Sequence, residues 1–322
     1  MEKILLTQWV PDKCRETFKN QLEFICPDKE KLQFSKSEIL EHISDVDGIF
    51  LIFSTADKEV IDAGKKLKVI ANLGVGFDCI DVKYATEKNI AVINTPNTVT
   101  EATAELSIAL LMTVMRNTAS YDKSVKEGQW PRFAFSDVGT EIFGHSLGIV
   151  GFGRIGKAVA KKALALGMDV KYYDPYRLNE EDEKHLEVSY LPLDELLSQC
   201  DCVSLHMPYT PENHHLINER TLSIMKKGSY LINVARGPVV KESALVEALK
   251  NGTLKGAALD VFEFEPNVSR ELKECDNAVL TPHVGTQTLQ VRINMFEEAM
   301  NGICAFLGGK TPYNIVNKEI LS

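Results

Sequence analysis

The chain has 322 residues, of which 44% are hydrophobic and 25% charged, a composition typical of a globular protein with about two domains. Its formal net charge of −9, with 36 basic and 45 acidic residues and no basic stripe, disfavours nucleic acids and acidic membranes as partners. No apolar run is long enough to cross a membrane, and the N-terminus lacks a signal-peptide layout, so we expect a cytoplasmic protein.

The cysteines and histidines predict no metal site. Seven cysteines are scattered along the chain, a pattern typical of reduced thiols and not of a disulfide framework. Cys200 and Cys202 are two residues apart, but no second pair and no cluster of histidines completes a zinc site. We expect His214 and His215 to form a solvent-exposed turn.

Apolar strands alternate with helical segments almost from end to end, which favours parallel sheets covered by helices on both faces. The elements predicted before residue 100 are strands at residues 4–7, 48–53, 68–73 and 90–94, and helices at residues 58–66 and 82–89. A long helix is predicted at residues 100–116, and its middle is apolar nearly all round. We therefore expect this helix to be buried at a boundary between domains or subunits.

A glycine-rich turn between an apolar strand and a helix is the most informative stretch. Gly151, Gly153 and Gly156 have the spacing G-x-G-x-x-G. The first glycine permits a tight turn, the second allows a pyrophosphate to approach the backbone, and the third lets the helix pack on its strand. The helix begins near Arg154, and its unpaired N–H groups would bind the phosphates. The sequence thus predicts a dinucleotide-binding site.

A carboxylate at the end of the next predicted strand bears on the choice of cofactor. Asp174 is placed to accept hydrogen bonds from the ribose diol of the adenosine, and its charge would repel a ribose 2′-phosphate. NAD, as NADH, is therefore the expected cofactor. Arg177 lies close by in the sequence and weakens this preference, so NADP is a less favoured alternative.

The alternation of strands and helices continues through the second half of the chain and suits a doubly wound nucleotide-binding sheet. Its predicted strands are residues 146–151, 169–173, 202–206, 230–234, 257–261 and 278–281, and its predicted helices include residues 155–166, 217–226, 241–251 and 286–307.

Polar residues that follow predicted strands are candidate ligand-binding groups, because ligands of open α/β sheets bind outside the carboxyl ends of the strands. Arg236 follows one strand, Glu263 and Glu265 follow the next, and His283 follows the last. The guanidinium of an arginine matches a carboxylate, a histidine exchanges a proton near neutral pH, and a glutamate bonded to the imidazole orients the ring. These residue types suit the reduction of a 2-keto acid, whose carboxylate would bind backbone N–H groups of residues 74–76.

Several of these stretches, taken together, resemble the D-isomer-specific 2-hydroxyacid dehydrogenases over essentially the full length of the chain. The matching stretches are residues 74–78, 94–96, 100–105, 148–156, 205–208, 233–237, 259–266 and 281–285. The resemblance implies an α/β fold with two doubly wound parallel-sheet domains, in which a Rossmann cofactor domain is inserted into a flavodoxin-like substrate domain. It implies a substrate-binding domain of residues 1–99 and 284–322 and an NAD-binding domain of residues 100–283.

The resemblance also implies roles for individual residues. It implies that Arg236 contacts the substrate carboxylate and carbonyl, that His283 is the proton donor, and that Glu265, not Glu263, is the catalytic glutamate. The implied substrate-binding residues are Val75, Gly76, Arg236 and His283. The cofactor-binding residues expected from the glycine motif and the resemblance together are Thr103, Gly151, Gly153, Arg154, Ile155, Gly156, Asp174, Pro208, Val234, Ala235, Arg236, Asp260, His283 and Gly285.

Within the family, Gln129, Trp130 and residues 139–144 are most similar to glyoxylate/hydroxypyruvate reductases. Residues 51–55 lack the basic side chains that would bind a phosphate. We therefore expect an enzyme that uses NADH to reduce a small unphosphorylated 2-keto acid, glyoxylate or hydroxypyruvate first, to the D-2-hydroxy acid. The alternatives are a D-lactate-type or branched-chain 2-hydroxyacid dehydrogenase and, more remotely, an NAD-sensing corepressor-like binding protein. The family and the apolar helix predict a homodimer.

Overall fold

The computed structural model describes residues 1–130, 135 and 138–321. The chain divides into two units. The first contains Met1–Val99 and the segment that starts at Thr286, and the second, Thr100–Gly285, is inserted between those two parts. Each unit is an α/β domain built on one parallel sheet. This is the fold class that the sequence predicts.

The second unit ends at Gly285. The N–H groups of Val284 and Gly285 donate hydrogen bonds to the carboxylate of Asp260, at 2.8 and 2.9 Å. Because Asp260 directly follows a strand of the second unit, these bonds keep both residues in that unit.

Five parallel strands form the sheet of the first unit. Its strands are β1 (Glu2–Leu6), β2 (Leu22–Ile25), β3 (Gly48–Leu51), β4 (Val69–Asn72) and β5 (Ala91–Ile93), and the helices between them are α1 (Asp12–Glu16), α2 (Lys36–His42), α3 (Lys58–Ala63) and α4 (Val82–Glu87). The strand order β2-β1-β3-β4-β5 is that of flavodoxin-like folds. The central strand β3 is buried along its whole length, as expected for a parallel strand covered on both faces.

The second unit is built on a seven-stranded parallel sheet. Its elements are α5 (Thr100–Met115), α6 (Thr118–Lys126), β6 (Ser146–Val150), α7 (Arg154–Ala165), β7 (Asp169–Tyr173), α8 (Glu180–His185), β8 (Ser189–Tyr190), α9 (Leu193–Gln199), β9 (Cys202–Leu205), α10 (Glu219–Ile224), β10 (Ser229–Asn233), α11 (Glu242–Lys250), β11 (Leu254–Leu259), α12 (Arg270–Lys273) and β12 (Ala278–Leu280). The order β12-β11-β10-β9-β6-β7-β8 is that of a Rossmann sheet extended by one strand. All strands are parallel, but the order in which the chain adds them to the sheet reverses between β6 and β9. Such sheets bind their ligands at this point.

The last helix, α13 (Leu289–Leu307), belongs to the first unit and covers one face of its sheet. Phe296 and Met300 of this helix are buried in one cluster with Ile4 and Leu6 of β1. Leu5 points to the opposite face and packs in a second cluster, because successive side chains of a strand alternate between faces. The two clusters therefore lie on the two sides of one sheet.

Helix α5 packs on the sheet of its own unit. Leu110, Leu111 and Val114 are buried among residues of β6, β7 and β10. Glu105 and Met112, on the opposite stripe of the helix, are exposed in the single chain. Burial of that stripe by another subunit stays a prediction.

The described residues contain neither a membrane-spanning helix nor a metal-binding cluster. No helix between residues 1 and 321, outside the undescribed positions, is long and apolar enough to cross a membrane. In the same part of the chain, no group of three or more histidine, cysteine, aspartate or glutamate side chains is arranged to hold a metal ion.

Candidate functional site

The glycine-rich turn follows β6 and leads into α7. Gly151 has φ +92°, and a Cβ on it would lie 2.6 Å from the Met207 nitrogen, so a side chain does not fit there. A Cβ on Gly156 would collide with the carbonyl oxygen of Gly151, so this glycine permits close packing of helix and strand. Gly153 is the N-cap of α7, and no described atom lies within 4 Å of a Cβ built on it. The turn therefore has open space at the helix N-terminus, as pyrophosphate binding requires.

The carboxylate of Asp174 lies beside this turn. One oxygen accepts a hydrogen bond from the N–H of Phe152 at 2.7 Å, and the other accepts one from the N–H of Tyr176 at 2.9 Å. These bonds orient the carboxylate at the end of β7. Each oxygen keeps a second lone pair, so the group can still accept a hydrogen bond from a ribose hydroxyl.

The guanidinium of Arg177 is paired with a carboxylate. Its Nε and Nη2 atoms bind the two carboxylate oxygens of Glu183 at 2.9 and 3.1 Å, and its guanidinium lies 5.0 Å from the centre of the Tyr190 ring. The hydrogen bond from Arg177 holds the pKa of the Glu183 carboxyl below its usual range. A 2′-phosphate would have to compete with this bidentate pair for the guanidinium.

The loop after β9 carries a neutral histidine. Burial lowers the pKa of His206 to about 3. The ring Nε2 lies 2.8 Å from Ser204 Oγ, which lies 3.2 Å from Ser107 Oγ on α5. Pro208 follows two residues later, and its carbonyl accepts a hydrogen bond from the Asn213 amide at 2.7 Å. The predicted adenine contact therefore lies in a loop that hydrogen bonds hold at both ends.

A buried amide orients the arginine loop after β10. The Nδ2 atom of Asn233 donates to the carbonyl oxygen of Arg236 at 3.0 Å, and Oδ1 accepts from the N–H of Ala235 at 3.0 Å. Asn233 is only 1% exposed, while Val234 and Ala235 are buried beside it. The predicted cofactor contacts therefore follow a rigid strand end. The sequence signal for Asn233 is a single amide at the end of an apolar strand.

The candidate proton donor and the candidate glutamate are hydrogen-bonded to each other. The Nδ1 atom of His283 lies 2.9 Å from Oε2 of Glu265, and the N–H of Phe262 donates to the other carboxylate oxygen at 2.9 Å. His283 has φ +52°, a left-handed conformation that is unusual outside glycine and recurs at functional sites. Its side chain is 44% exposed, and Nε2 makes no hydrogen bond to any described residue. The second ring nitrogen is therefore available for proton exchange.

Opposing effects set the ionisation of Glu265. Burial favours the neutral carboxyl, but the hydrogen bond and charge of His283, the N–H of Phe262 and the charge of Arg236 outweigh it. The pKa of the Glu265 carboxyl consequently lies below its usual range. The three predicted catalytic residues follow β10, β11 and β12, which are neighbours in the sheet.

Asp260 orients the loop that carries the histidine. Its buried carboxylate accepts hydrogen bonds from Thr281 Oγ1 at 2.6 Å and from the N–H groups of Val284 and Gly285. Burial raises the pKa of Asp260, although these bonds oppose the shift. A Cβ on Gly285 would lie 3.6 Å from Thr103 Oγ1, so three predicted cofactor contacts are neighbours here. Contact of Asp260 with a nicotinamide stays a prediction.

In the first unit, the turn after β4 has free backbone donors. The carbonyl oxygen of Val75 accepts a hydrogen bond from the Asn94 amide at 2.8 Å, and that of Gly76 accepts one from the Asn72 amide at 2.5 Å. The N–H groups of Val75 and Gly76 donate to no acceptor in the described part of the chain. This arrangement fixes the carbonyls and leaves the N–H groups for an anion, such as a carboxylate.

A cation lies next to an exposed aromatic ring of the first unit. Phe53 is 58% exposed, and the guanidinium of Arg292 lies 5.2 Å from the centre of its ring. Arg292 donates to Gln287 Oε1 at 2.6 Å, and its Nε has no hydrogen-bond partner among the described residues. Burial lowers the pKa of Arg292. The surroundings of Phe53 are therefore not purely apolar.

The two glutamates of the loop after β11 contact different histidines. Glu263 does not bind His283; its Oε1 lies 2.7 Å from Nε2 of His215. The side chains of Glu263 and His215 are only 11% and 26% exposed. The expectation of a solvent-exposed turn is therefore wrong for His215, because the fold places a carboxylate next to its ring.

The fold and this geometry together define a class of protein. A Rossmann sheet has a glycine turn that accommodates a phosphate, and it holds an exposed histidine against an ionised glutamate at neighbouring strand ends. Such a protein binds a dinucleotide and has the groups for acid–base chemistry on a small acid.

Comparison with known proteins identifies the family. The family model described as D-isomer specific 2-hydroxyacid dehydrogenase, NAD binding domain, matches residues 108–285. The glyoxylate reductase of Thermococcus onnurineus is 39% identical over 326 residues, covering 99% of this chain and 97% of that protein. The chain belongs to the D-isomer specific 2-hydroxyacid dehydrogenase family and is an enzyme of that family, as the sequence predicts.

Two solved structures of relatives contain cofactors. The D-lactate dehydrogenase of Aquifex aeolicus, complexed with NAD and lactic acid, is 31% identical with a TM-score of 0.83 and covers 98% of both chains. An NADPH-dependent glyoxylate/hydroxypyruvate reductase of Sinorhizobium meliloti, in complex with NADP and malonate, is 30% identical with a TM-score of 0.84, covering 98% of this chain and 96% of that chain. Relatives of similar likeness therefore bind different cofactors.

Proposed function

We propose that the protein uses NADH to reduce small unphosphorylated 2-keto acids, glyoxylate and hydroxypyruvate first, to the corresponding D-2-hydroxy acids. The observation that carries this proposal is the 2.9 Å hydrogen bond between His283 Nδ1 and Glu265 Oε2 next to Arg236, in a family member whose relatives include glyoxylate reductases. Arginine, glutamate and histidine together supply what reduction of a keto acid requires of a protein.

Each residue has a distinct task in this mechanism. Arg236 binds the substrate carboxylate and stabilises the negative charge that develops on the carbonyl oxygen. His283 donates the proton from Nε2 to that oxygen. The carboxylate of Glu265 accepts a hydrogen bond from Nδ1 of His283 and stabilises the charged ring. The N–H groups of Val75 and Gly76, in the first unit, are proposed as donors to a substrate carboxylate. A bound nicotinamide supplies the hydride for the keto carbon.

The residues of the second unit fit an NAD molecule. The pyrophosphate would bind at the glycine turn, and the adenosine ribose diol at Asp174. The preference for NAD is supported by the acidic group at this position and by the pairing with Glu183 of Arg177, a cation three residues after Asp174. The remaining predicted cofactor contacts are proposed for the same molecule.

The cofactor preference is tested by replacing the acidic group. We expect Asp174→Ala to lower the ratio of kcat/KM with NADH to that with NADPH by about tenfold, because a negative charge opposite the 2′-phosphate is removed. The control Asp169→Ala removes a carboxylate at the other end of the same strand. An unchanged ratio for Asp174→Ala would move cofactor discrimination to another residue.

The proposed substrates are small and carry no phosphate. Residues 51–55 have no basic side chain for a phosphate, and the guanidinium of Arg292 lies 5.2 Å from the centre of the Phe53 ring. This cation favours a polar substituent, as in hydroxypyruvate, over a branched apolar chain. A D-lactate-type activity is the second candidate, because the lactate dehydrogenase complexed with lactic acid has the same fold.

One assay distinguishes these candidates. NADH oxidation is measured in parallel with glyoxylate, hydroxypyruvate, pyruvate, a branched-chain 2-keto acid and 3-phosphohydroxypyruvate. We expect the highest kcat/KM with the first two, a lower value with pyruvate and the branched acid, and no turnover of the phosphorylated acid. A preference for pyruvate would establish the second candidate, and no turnover of any acid would refute the proposal.

We also propose that the protein is a homodimer in the cytoplasm. Support for the dimer comes from Met112, Trp130 and Phe143, which are 40%, 80% and 72% exposed in the single chain. Light scattering during size-exclusion chromatography measures the mass in solution. A mass equal to that of one chain would refute the dimer.

A further inference from the structure

A second set of ionisable side chains lies behind the candidate catalytic loops of the second unit. It consists of His215, Glu242 and Glu263. Glu242, at the start of α11, is only 3% exposed, and the other two side chains are mostly buried. The proposed mechanism uses none of the three, so their burial calls for a separate explanation.

His215 is bonded to both loops that carry catalytic candidates. Its backbone N–H donates to the carbonyl oxygen of Pro238 at 2.9 Å, two residues after Arg236. Its ring Nε2 lies 2.7 Å from Oε1 of Glu263, two residues before Glu265. His215 therefore links the arginine loop to the glutamate loop.

The glutamate end of this link is itself held in place. The carboxylate of Glu263 accepts a hydrogen bond from the N–H of Glu242 at 2.9 Å, and the carboxylate of Glu242 accepts one from the N–H of Glu263 at 2.8 Å. Ser269 Oγ donates to the second oxygen of Glu242 at 3.0 Å. The glutamate loop is thus tied to α11 on one side and to His215 on the other.

The two loops also touch directly. A Cβ on Gly237 would collide with the carbonyl group of Phe262, so no side chain separates the loops here. The N–H of the same Phe262 donates to Oε1 of Glu265. A displacement of Glu263 would therefore move the neighbouring Phe262, whose N–H binds the Glu265 carboxylate that orients His283.

We propose that His215 is a positioning residue for the reaction, which through Glu263 holds Arg236 in register with the Glu265–His283 pair. This inference rests on the proposed function for the roles of those three residues. The physical reason is that bound reactants must be aligned closely, and small displacements of the groups that align them can reduce turnover by orders of magnitude. The link does not contact substrate, so its effect must appear through the geometry of the other residues.

The test compares two substitutions of the same residue. His215→Asn keeps a side chain that tolerates the positive φ of +51° but is too short to reach Glu263. His215→Gln has an amide nitrogen about as far from the backbone as Nε2, so it can restore the bond. We expect His215→Asn to lower kcat by about 10- to 100-fold with an unchanged Kd for NADH, and His215→Gln to recover kcat to within about threefold of the original protein.

The matched control is the neighbouring histidine. His214 stacks on His215 at 3.8 Å between ring centres, and its ring contacts Tyr209, but it makes no hydrogen bond to either catalytic loop in the described part of the chain. We expect His214→Ala to retain kcat within about twofold. Equal losses in His214→Ala and His215→Asn would assign the effect to general loop packing and overturn the proposal.

A second measurement does not depend on turnover. The imidazole nitrogen signals of His283, recorded by NMR on protein without cofactor, report its hydrogen bond to Glu265. We expect these signals to shift in His215→Asn and to return in His215→Gln. If the original protein reduces no 2-keto acid, the proposed function fails while this measurement still tests the link. Unchanged His283 signals in His215→Asn would overturn the positioning role, as would an unchanged kcat.

Discussion

Two histidine–glutamate pairs in the same unit differ in which ring nitrogen faces the carboxylate. His283 binds Glu265 through Nδ1, and the two side chains are 44% and 36% exposed. His215 binds Glu263 through Nε2, and those side chains are 26% and 11% exposed. The first pair leaves Nε2 available to a ligand, while the second uses Nε2 for an internal bond. We therefore propose different tasks for the two pairs, namely proton exchange for the first and positioning of two loops for the second.

Loss of the exposed imidazole should have the largest effect. We expect His283→Ala to reduce kcat by about 10²- to 10⁴-fold, because the substitution removes the proposed proton donor, while the Kd for NADH changes little. Steady-state kinetics and fluorescence titration measure the two quantities. The loss should exceed that in His215→Asn, and unchanged turnover in His283→Ala would remove the distinction between the pairs.

Neutralising the carboxylate of the exposed pair should reduce turnover. Glu265→Gln removes the negative charge next to the ring of His283, the proposed proton donor, so we expect about a tenfold loss of kcat/KM at neutral pH. In the comparison variant Glu263→Gln the amide can still form a hydrogen bond with His215, so we expect a smaller loss. Equal losses in the two variants would contradict a special role for the charge of Glu265.

Neutralising the carboxylate of the buried pair should instead affect stability. We expect Glu263→Gln to lower the free energy of unfolding by about 1–2 kcal/mol, since hydrogen bonds to a charged group contribute more than those to a neutral one. Glu265→Gln should cost less, because its side chain is more exposed. Urea unfolding of both variants gives the comparison. A greater loss of unfolding free energy in Glu265→Gln would contradict the prediction that the buried pair contributes more to stability than the exposed pair.

The smallest effect concerns acid stability. The pKa of the Glu265 carboxyl is depressed in the folded protein, so its ionisation stabilises the fold above the unfolded value of about 4.3, and this contribution is lost as pH falls through the folded value. Between about pH 5 and pH 3 we therefore expect Tm to fall more steeply in the original protein than in Glu265→Gln. Solvent screening keeps this contribution below about 1 kcal/mol. Parallel slopes would show that the pair does not stabilise the fold.

Periodicity and turn chemistry were sufficient to predict most strands near the sheet centres. Buried strands such as β3 and β10 are short apolar runs followed by turn residues, and this local pattern is sufficient to recognise them. The edge strands β2 and β8 were not predicted. They are short, with partly exposed side chains, so they lack a pattern and form because a neighbouring strand offers hydrogen-bond partners.

The candidate site was predictable to the level of residue type and strand end. Arg236, Glu265 and His283 follow consecutive strands of the sequence, and the rule for open α/β sheets locates ligands at such ends. The amide of Asn233 and the carboxylate of Asp260 act by orienting loops, through bonds that no spacing predicts. The orientation of these loops by Asn233 and Asp260 depends on side-chain positions, which only the tertiary structure gives.

The sequence by itself determined the fold class, the glycine-rich turn, and the arginine, glutamate and histidine that follow neighbouring strands. All three features depend on local patterns and on the order of the strands. Only the tertiary structure decided which glutamate faces which histidine. The partners of one pair are 18 residues apart and those of the other 48, so their pairing depends on how the strands are ordered in the sheet. The two pairs also differ in burial, and this difference supports our proposals that the exposed ring exchanges a proton and that the more buried ring holds two loops together.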